Sequence, residues 1–448
     1  MTEPSISRDI CLNDGTSLKS LVNTDTGRIA RRIFSDPELF ELEKAHIFRK
    51  AWCFLAHESE FSDVGDFVTR SLAGEPVVLI KDDEDQIRAF LNSCRHRGMR
   101  LCRTDDGNTS YLRCPYHGWS YGKDGTLVSV FAEGFYVEKF LKKDELGLIP
   151  VTKVETYKGL IFGTWDENAP SLSEFLGDMK FYIDMFVGRT NAGAEIVGTA
   201  QIWDSNANWK LLAENSCDNQ HLHTAHGSVV QLGLLPPDPL MLAGGNLVDA
   251  GGGHILHLVP GPPDPFFEDL GLPFELRAEF PANLSEAQRS VAKRTSFSVG
   301  NVFPNLSFLH VMIQGDPETP PTPFLNFRVW EPLSATKTRI RSFVLVDRGA
   351  SAEFRKRSFE TYVRTFGPGG IFEQDDMENL EECTKVNSGL IAQRYPLHHA
   401  MSLHMEPVKD FPGPGNVWPT SFGETAQLAF YQHWQDCLLT GEQLELAA

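Results

Sequence analysis

The spacing of hydrophobic positions changes along the chain. Asp36-Pro37 is followed by Leu39, Leu42 and Ile47 at near-helical intervals. An aspartate can cap the exposed N–H groups of a first turn and proline suits the first helical position, so a helix is predicted to open there. From about residue 51 to 168 the apolar residues fall into short strand-like runs. Pro76–Ile80, the acidic turn Asp82-Asp83-Glu84-Asp85 and Ile87–Leu91 read as a hairpin running into a loop near residue 92. Tyr111-Leu112-Arg113 leads into a second loop, and Lys123-Asp124-Gly125-Thr126 is a turn after it. Beyond Pro170 a helical period returns. Ser171-Leu172-Ser173-Glu174 has capping-box spacing, and Phe175, Leu176, Met179 and Ile183 continue an apolar stripe. Phe324–Val329 and Arg339–Leu345 alternate as sheet strands do. The tract Gly227–Pro265, dense in Gly and Pro yet still carrying Leu and Val, reads as a long apolar loop system over a pocket. No internal repeat or low-complexity segment interrupts this pattern. It divides the chain into residues 1–50, a small β unit at 51–169, and a larger unit at 170–448.

Composition narrows the function classes. A chain of 448 residues can bury a sizeable core over two or three domains. The formal net charge of −19 argues against nucleic acid and against an anionic membrane surface, both of which reward clustered Lys and Arg. Met1–Gly15 lacks a basic segment followed by an apolar run, and no apolar stretch reaches the length of a membrane span. A cytoplasmic location is expected. The eight cysteines are scattered and are expected to stay reduced there.

Two short clusters carry the first chemistry: Cys94-Arg95-His96 and Cys114-Pro115-Tyr116-His117. Two thiols and two imidazoles in paired loops are the donor set of a Rieske [2Fe–2S] centre, with two Cys on one iron and two His on the other. Replacing two thiolates by neutral imidazoles removes negative charge, which makes the cluster easier to reduce. The competing reading is a structural zinc site. Zinc fingers, however, group their ligands as a Cys pair followed by a His pair, and here each loop supplies one of each.

A second constellation follows Asn208-Trp209-Lys210. It runs from Glu214-Asn215-Ser216-Cys217-Asp218 through Asn219, Gln220 and His221 to His226. Two His and one carboxylate can form the facial triad of a mononuclear non-haem Fe(II) site, leaving other coordination positions open. Spacing alone leaves His221, His223 and His226 all eligible. In an ideal helix 221 and 226 lie about 140° apart, so 223 and 226 share a face better.

Asn92–Gly98 and Cys114–Tyr121 resemble the ligand loops of the Rieske ring-hydroxylating oxygenases. The D-x-x-H-x4-H run after N-W-K and E-N is similar to the iron-binding helix of the same family, and Gly367–Asn379 resembles its closing motif. Glu155–Phe162 and Cys94–Arg100 are most similar to large (α) subunits acting on biphenyl-, toluene- and naphthalene-type arenes. Gln220 departs from the Tyr common in the family, and the short step from Asn215 to Asp218 is more like benzoate-type members. An apolar arene and an aryl carboxylate therefore both stay open as substrates.

The resemblance implies an α+β fold. A small all-β Rieske domain would precede a larger catalytic domain built on an antiparallel, helix-grip-like sheet flanked by helices. It assigns the cluster to Cys94, His96, Cys114 and His117, and the iron to His221, His226 and Asp376, leaving His223 aside. Asp218 is implied to link an iron-ligating His to the cluster ligand His117 of a neighbouring subunit, and Asn215, Phe366 and Phe372 are implied pocket residues. The implied activity is that of a terminal oxygenase using O2 to cis-dihydroxylate an aromatic ring. Its electrons would come from NAD(P)H through a reductase and ferredoxin. The implied assembly is an α3 ring, or α3β3 with a small β subunit. The alternatives are a Rieske monooxygenase or demethylase on a hydroxy- or carboxy-substituted ring and a pure electron carrier. The second constellation has no place in an electron carrier.

Overall fold

The computed structural model describes residues 10–234, 238, 243–261, 268–315 and 320–440. The chain forms two compact units: Phe48–Leu172, and Met1–Ile47 joined by Ser173–Ala448.

The smaller unit is all β apart from short single-turn segments. The predicted hairpin pairs Glu75–Lys81 with Ile87–Leu91, turning on the acidic Asp82–Asp85 run, and the same sheet takes in Asp66–Leu72 and Asp106–Asn108. Asp82 makes that turn by accepting backbone N–H bonds from Glu84 and Gln86. A second sheet runs Leu127–Ser129, Ser120–Tyr121, Leu112–Arg113, and a third joins Lys153–Tyr157, Leu160–Thr164 and Cys53–His57. Phe67, Val78, Ile80, Phe90, Leu112, Trp119 and Tyr121 share one core. Burial of this kind contributes roughly 1.5–3 kcal/mol per large apolar side chain.

The larger unit is built on an eight-stranded antiparallel sheet. Its order is Ala194–Ser205, Lys337–Asp347, Thr322–Ser334, Leu306–Ile313, Phe297–Val302, Ile255–Val259, Asn246–Asp249 and Asn416–Trp418. The two strands read from alternation, around 324–329 and 339–345, are neighbours, third and second in that order. Helices Trp209–Asn215, Ala352–Thr365 and Thr425–Leu439 pack on it. This is the expected α+β arrangement, and no described helix is long and apolar enough to cross a membrane.

The N-terminal helix Pro37–Glu43 starts as predicted, with the Asp36 side chain accepting from the N–H groups of Glu38 and Leu39. Its last residue joins it to the larger unit. Buried Glu43 accepts from the indoles of Trp209 and Trp434 and pairs with buried Lys210.

Two expectations need correction. The stripe after Pro170 is two helices, Leu172–Leu176 and Met179–Val187, because Gly177 takes a left-handed φ of 47° that ends the first. Within the Gly- and Pro-rich tract, Asn246–Asp249 and Ile255–Val259 are strands of the main sheet rather than loop. Gly251, Gly252 and Gly253 form the turn between them, all at positive φ. Residues 235–237, 239–242 and 262–265 of that tract lie outside the described residues.

Candidate metal centres and substrate cavity

In the smaller unit the two motif loops have the same construction. The N–H of Gly98 reaches back to the carbonyl of Cys94 and that of Gly118 to Cys114, at 2.9 and 3.0 Å. Cys94 and Cys114 then close each loop on the carbonyls of Met99 and Trp119. Both glycines sit near φ 70°, where a side chain would be strained. The two thiols are buried and neighbour each other, whereas the two imidazoles are nearer the surface with ring centroids 4.6 Å apart. His96 stacks flat on Trp119, and its Nδ1 is buried with no hydrogen-bond partner. The Tyr121 hydroxyl lies 3.4 Å from Cys94 Sγ and accepts the N–H of Arg95. Burial lowers the His96 pKa, reinforced by His117, which keeps the ring in the neutral form that ligates metal. The donors separate into a sulfur pair and a nitrogen pair. Among the described residues they do not gather into a one-metal group, which fits two irons and not zinc.

In the larger unit His221, His226 and Asp376 do gather, with one ligand atom from each within 4.8 Å of the others. The two histidines flank a single helical turn, Leu222–Ala225, and His226 leaves helical geometry at φ −100°, ψ 37°. That break is why the ideal-helix angle does not apply and why His221 joins His226. His223 is not in the group. Asp376 comes from the first turn of the helix Glu373–Asn387. Its Oδ1 lies 3.4 Å from His221 Nε2 and 3.3 Å from His226 Nε2. Burial alone would raise the Asp376 pKa, but the two imidazoles hold it far below the usual carboxylate range. Burial would likewise lower the His221 pKa, yet Asp218 and Asp376 push it up to about 10. A field that favours a proton this strongly also suits a divalent cation, so the residues fit a metal.

This group lies in the wall of a small cavity of about 50 Å³ that opens to solvent. Leu212, Leu222, Phe297, Val299, Leu309 and Phe366 supply apolar walls, and Asn215 and Asp218 also line it. Phe372 does not line it. It stacks on Phe366 at 4.6 Å and meets His226 edge-on, so it backs the wall. Five further residues at the cavity carry polar groups that the sequence reading did not assign: Ser216, His257, Ser307, Arg328 and Trp330. Arg328 is tied to buried Glu373 and to Asn326. Burial and Asp376 push Glu373 up to about 7 against the pull of Arg328. Cys217 is buried and its thiol pKa is raised well above the ordinary value, which excludes a thiolate nucleophile.

Comparison with known proteins places these sites in a family. Residues 51–138 match the Rieske [2Fe-2S] domain, and residues 187–440 match the catalytic domain of the ring-hydroxylating alpha subunit. The chain is 34% identical to a benzene 1,2-dioxygenase subunit alpha of Pseudomonas putida, over 94% of this chain and 93% of the relative. It is 31% identical to an N,N-dimethyl phenylurea N-demethylase subunit alpha of Sphingobium sp., over 95% and 94% of the two chains. Its structure superposes on that of naphthalene 1,2-dioxygenase from Rhodococcus sp. bound to indole with a TM-score of 0.89, at 41% identity over 92% of this chain and 94% of that one. The cofactors are accordingly a Rieske [2Fe–2S] cluster and a mononuclear iron, with O2 as co-substrate and NAD(P)H as the indirect electron source. An all-β unit with paired Cys and His loops, followed by a sheet-based unit with a two-His, one-carboxylate group, is the organisation of this family, and the chain belongs to the alpha subunits of the aromatic ring-hydroxylating dioxygenases.

Proposed function

We propose that this chain is a terminal oxygenase that adds both atoms of O2 to an aromatic ring, giving a cis-dihydrodiol. One observation carries the reading: the His221–His226–Asp376 group is set into the wall of a mainly apolar cavity. In this assignment Cys94 and Cys114 hold one iron of the cluster, His96 and His117 the other, and His221, His226 and Asp376 hold the mononuclear iron. When bound, the cluster supplies single electrons and the mononuclear iron activates O2. The side chains do the rest. Phe297, Leu309 and Phe366 hold a flat ring, displace water and fix which edge faces the triad, and Phe372 supports Phe366 from behind. Residues 51–169 are the electron-carrying domain, and 1–50 with 170–448 the catalytic one.

The electron donor is a ferredoxin or reductase. The assembly is a trimeric α3 ring, or α3β3 with a small β subunit. An exposed apolar surface beside the cluster loops, including Tyr116, Phe131, Phe135 and Phe140, supports a protein partner there. Asp218 is one-third exposed next to His221, which suits a bridge to His117 of the partner subunit. None of the eight cysteines is in a disulfide.

The test is a single turnover of the reduced holoprotein with isotopically labelled O2 and a panel of arenes. Two labelled atoms from one O2 in an arene diol support the reading. One labelled atom, or product only from an N- or O-alkylated or carboxylated ring, replaces it with a monooxygenase or demethylase.

A further inference from the structure

The cavity wall opposite the apolar helices is a sheet face, and its composition follows from strand register. Cross-strand partners His257, Val299, Leu309 and Asn326 run across four adjacent strands. His257, Val299 and Leu309 line the cavity, with Phe297 two residues before Val299 on the same face. In a strand, alternate residues share a face, so this stripe is the side that meets a bound ring. Valine, leucine and phenylalanine are ordinary there. A histidine is not.

His257 is 1% exposed, and neither ring nitrogen has a hydrogen-bond partner. Buried polar groups are nearly always paired, because desolvation without compensation is costly. The other buried histidines nearby behave differently. His254 bonds the carbonyl of Phe175 and the N–H of Phe303, and His310 bonds the carbonyl of Leu270. Among the described buried histidines, His257 alone has neither ring nitrogen hydrogen-bonded. A tilted ring contact with Phe297 at 5.2 Å satisfies neither nitrogen. Burial keeps it neutral, holding its pKa down to about 3, so it presents one N–H donor and one acceptor nitrogen.

We infer that His257 is a specificity-determining residue that hydrogen-bonds a polar substituent of the substrate. The preferred substrate class is then an arene carrying a hydroxyl or similar hydrogen-bonding group, in preference to an unsubstituted or alkylated hydrocarbon. This rests on the arene-oxygenase reading and narrows it. A site built around a hydrogen bond rejects an analogue that lacks the partner, because the protein group is then buried unpaired.

The probes are 2-naphthol and 2-methylnaphthalene, which differ by a hydroxyl in place of a methyl of similar size. Their dissociation constants are measured by equilibrium dialysis against the full-length holoprotein without O2. His257→Leu is expected to shift the ratio of the two constants by about tenfold or more toward the methyl compound. His257→Gln, which keeps a donor and an acceptor, is expected to hold the ratio within about threefold of wild type. If His257→Leu does not fold, His257→Phe carries the same expectation. An unchanged ratio in the apolar variant, or no binding of either probe to the wild type, overturns the inference. Admitting O2 and electrons afterwards tests the underlying reading separately. Binding with the expected shift but no oxygenated product would leave His257 as a ligand contact and remove the oxygenase assignment.

Discussion

His226 faces two consecutive carboxylates through its two nitrogens: Nδ1 lies 3.3 Å from Asp375 and Nε2 3.3 Å from Asp376. His221 repeats the arrangement, with Nδ1 3.4 Å from Asp218 and Nε2 3.4 Å from Asp376. Each ring thus turns one nitrogen toward the shared carboxylate and the other toward a carboxylate of its own. An outer carboxylate fixes the tautomer and orientation of a ligating imidazole and raises its basicity. With Asp376 as the proposed iron ligand, Asp375 is therefore a positioning residue beside it. Asp375→Ala is expected to weaken Fe(II) binding by about 10- to 100-fold while leaving the visible spectrum of the cluster unchanged. Metal analysis after equilibration at graded Fe(II) checks this, and wild-type affinity in the variant would refute it.

In the proposed assembly Asp218 differs, because it would serve a second chain as well as His221. Asp218→Ala is expected to retain the cluster and to lower iron affinity by no more than about 100-fold. Turnover at saturating iron should fall much further, because the bridge to the partner subunit is gone. Stopped-flow reoxidation of the reduced cluster reads the electron-transfer step directly. A wild-type reoxidation rate in the iron-loaded variant would exclude the bridging role.

Tyr121 tunes the other centre. Its hydroxyl is 3.4 Å from Cys94 Sγ, and hydrogen bonds to cluster sulfur raise the reduction potential by stabilising the more negative reduced state. A hydrogen bond to a charged group is worth about 1.5–3 kcal/mol, and 1.4 kcal/mol corresponds to about 59 mV for one electron. Tyr121→Phe should therefore lower the potential by on the order of 60–130 mV without loss of the cluster. Electrochemistry of the purified protein decides it.

What the sequence disclosed and what it hid differ in range. Cys94 with His96, and Cys114 with His117, lie within single tight loops, so covalent spacing displays the donor set directly. His221 and His226 were ambiguous by spacing because the break at His226 comes from tertiary packing that an ideal helix does not contain. Asp376 was legible only by resemblance, and the separate task of Asp375 needed coordinates. His257 was obscured because its strand is embedded among glycines and prolines that read as loop. The Glu43 contacts were invisible for a simpler reason: their partners stand at positions 209, 210 and 434, far along the chain.

That anchor is a stability element. Lys210 is fully buried, and its charge is matched by Glu43, which also takes the two indole N–H groups. Removing one partner of a buried pair leaves an uncompensated charge, at a cost of about 3–5 kcal/mol. Lys210→Met is expected to lose that much in denaturant unfolding. The double variant Lys210→Met with Glu43→Gln should recover a substantial part of it, since no charge is then stranded. A double variant no more stable than Lys210→Met would show that packing, not the charge, dominates.

A second pair gives stability a pH dependence. His399 Nε2 lies 3.4 Å from Glu214. Burial opposes the charged imidazole, but the Glu214 carboxylate outweighs it, and the pKa is raised above 6.5. Folding therefore favours protonated His399. The pair's contribution is complete below the unfolded-state value of 6.5 and disappears as pH rises through the higher folded value. His399→Gln removes it at every pH. The difference in Tm between wild type and His399→Gln should be largest below pH 6.5 and should shrink as pH rises above it. Calorimetry at a series of pH values measures it. A difference that is flat, or that grows with pH, would mean the charged pair does not stabilise the fold.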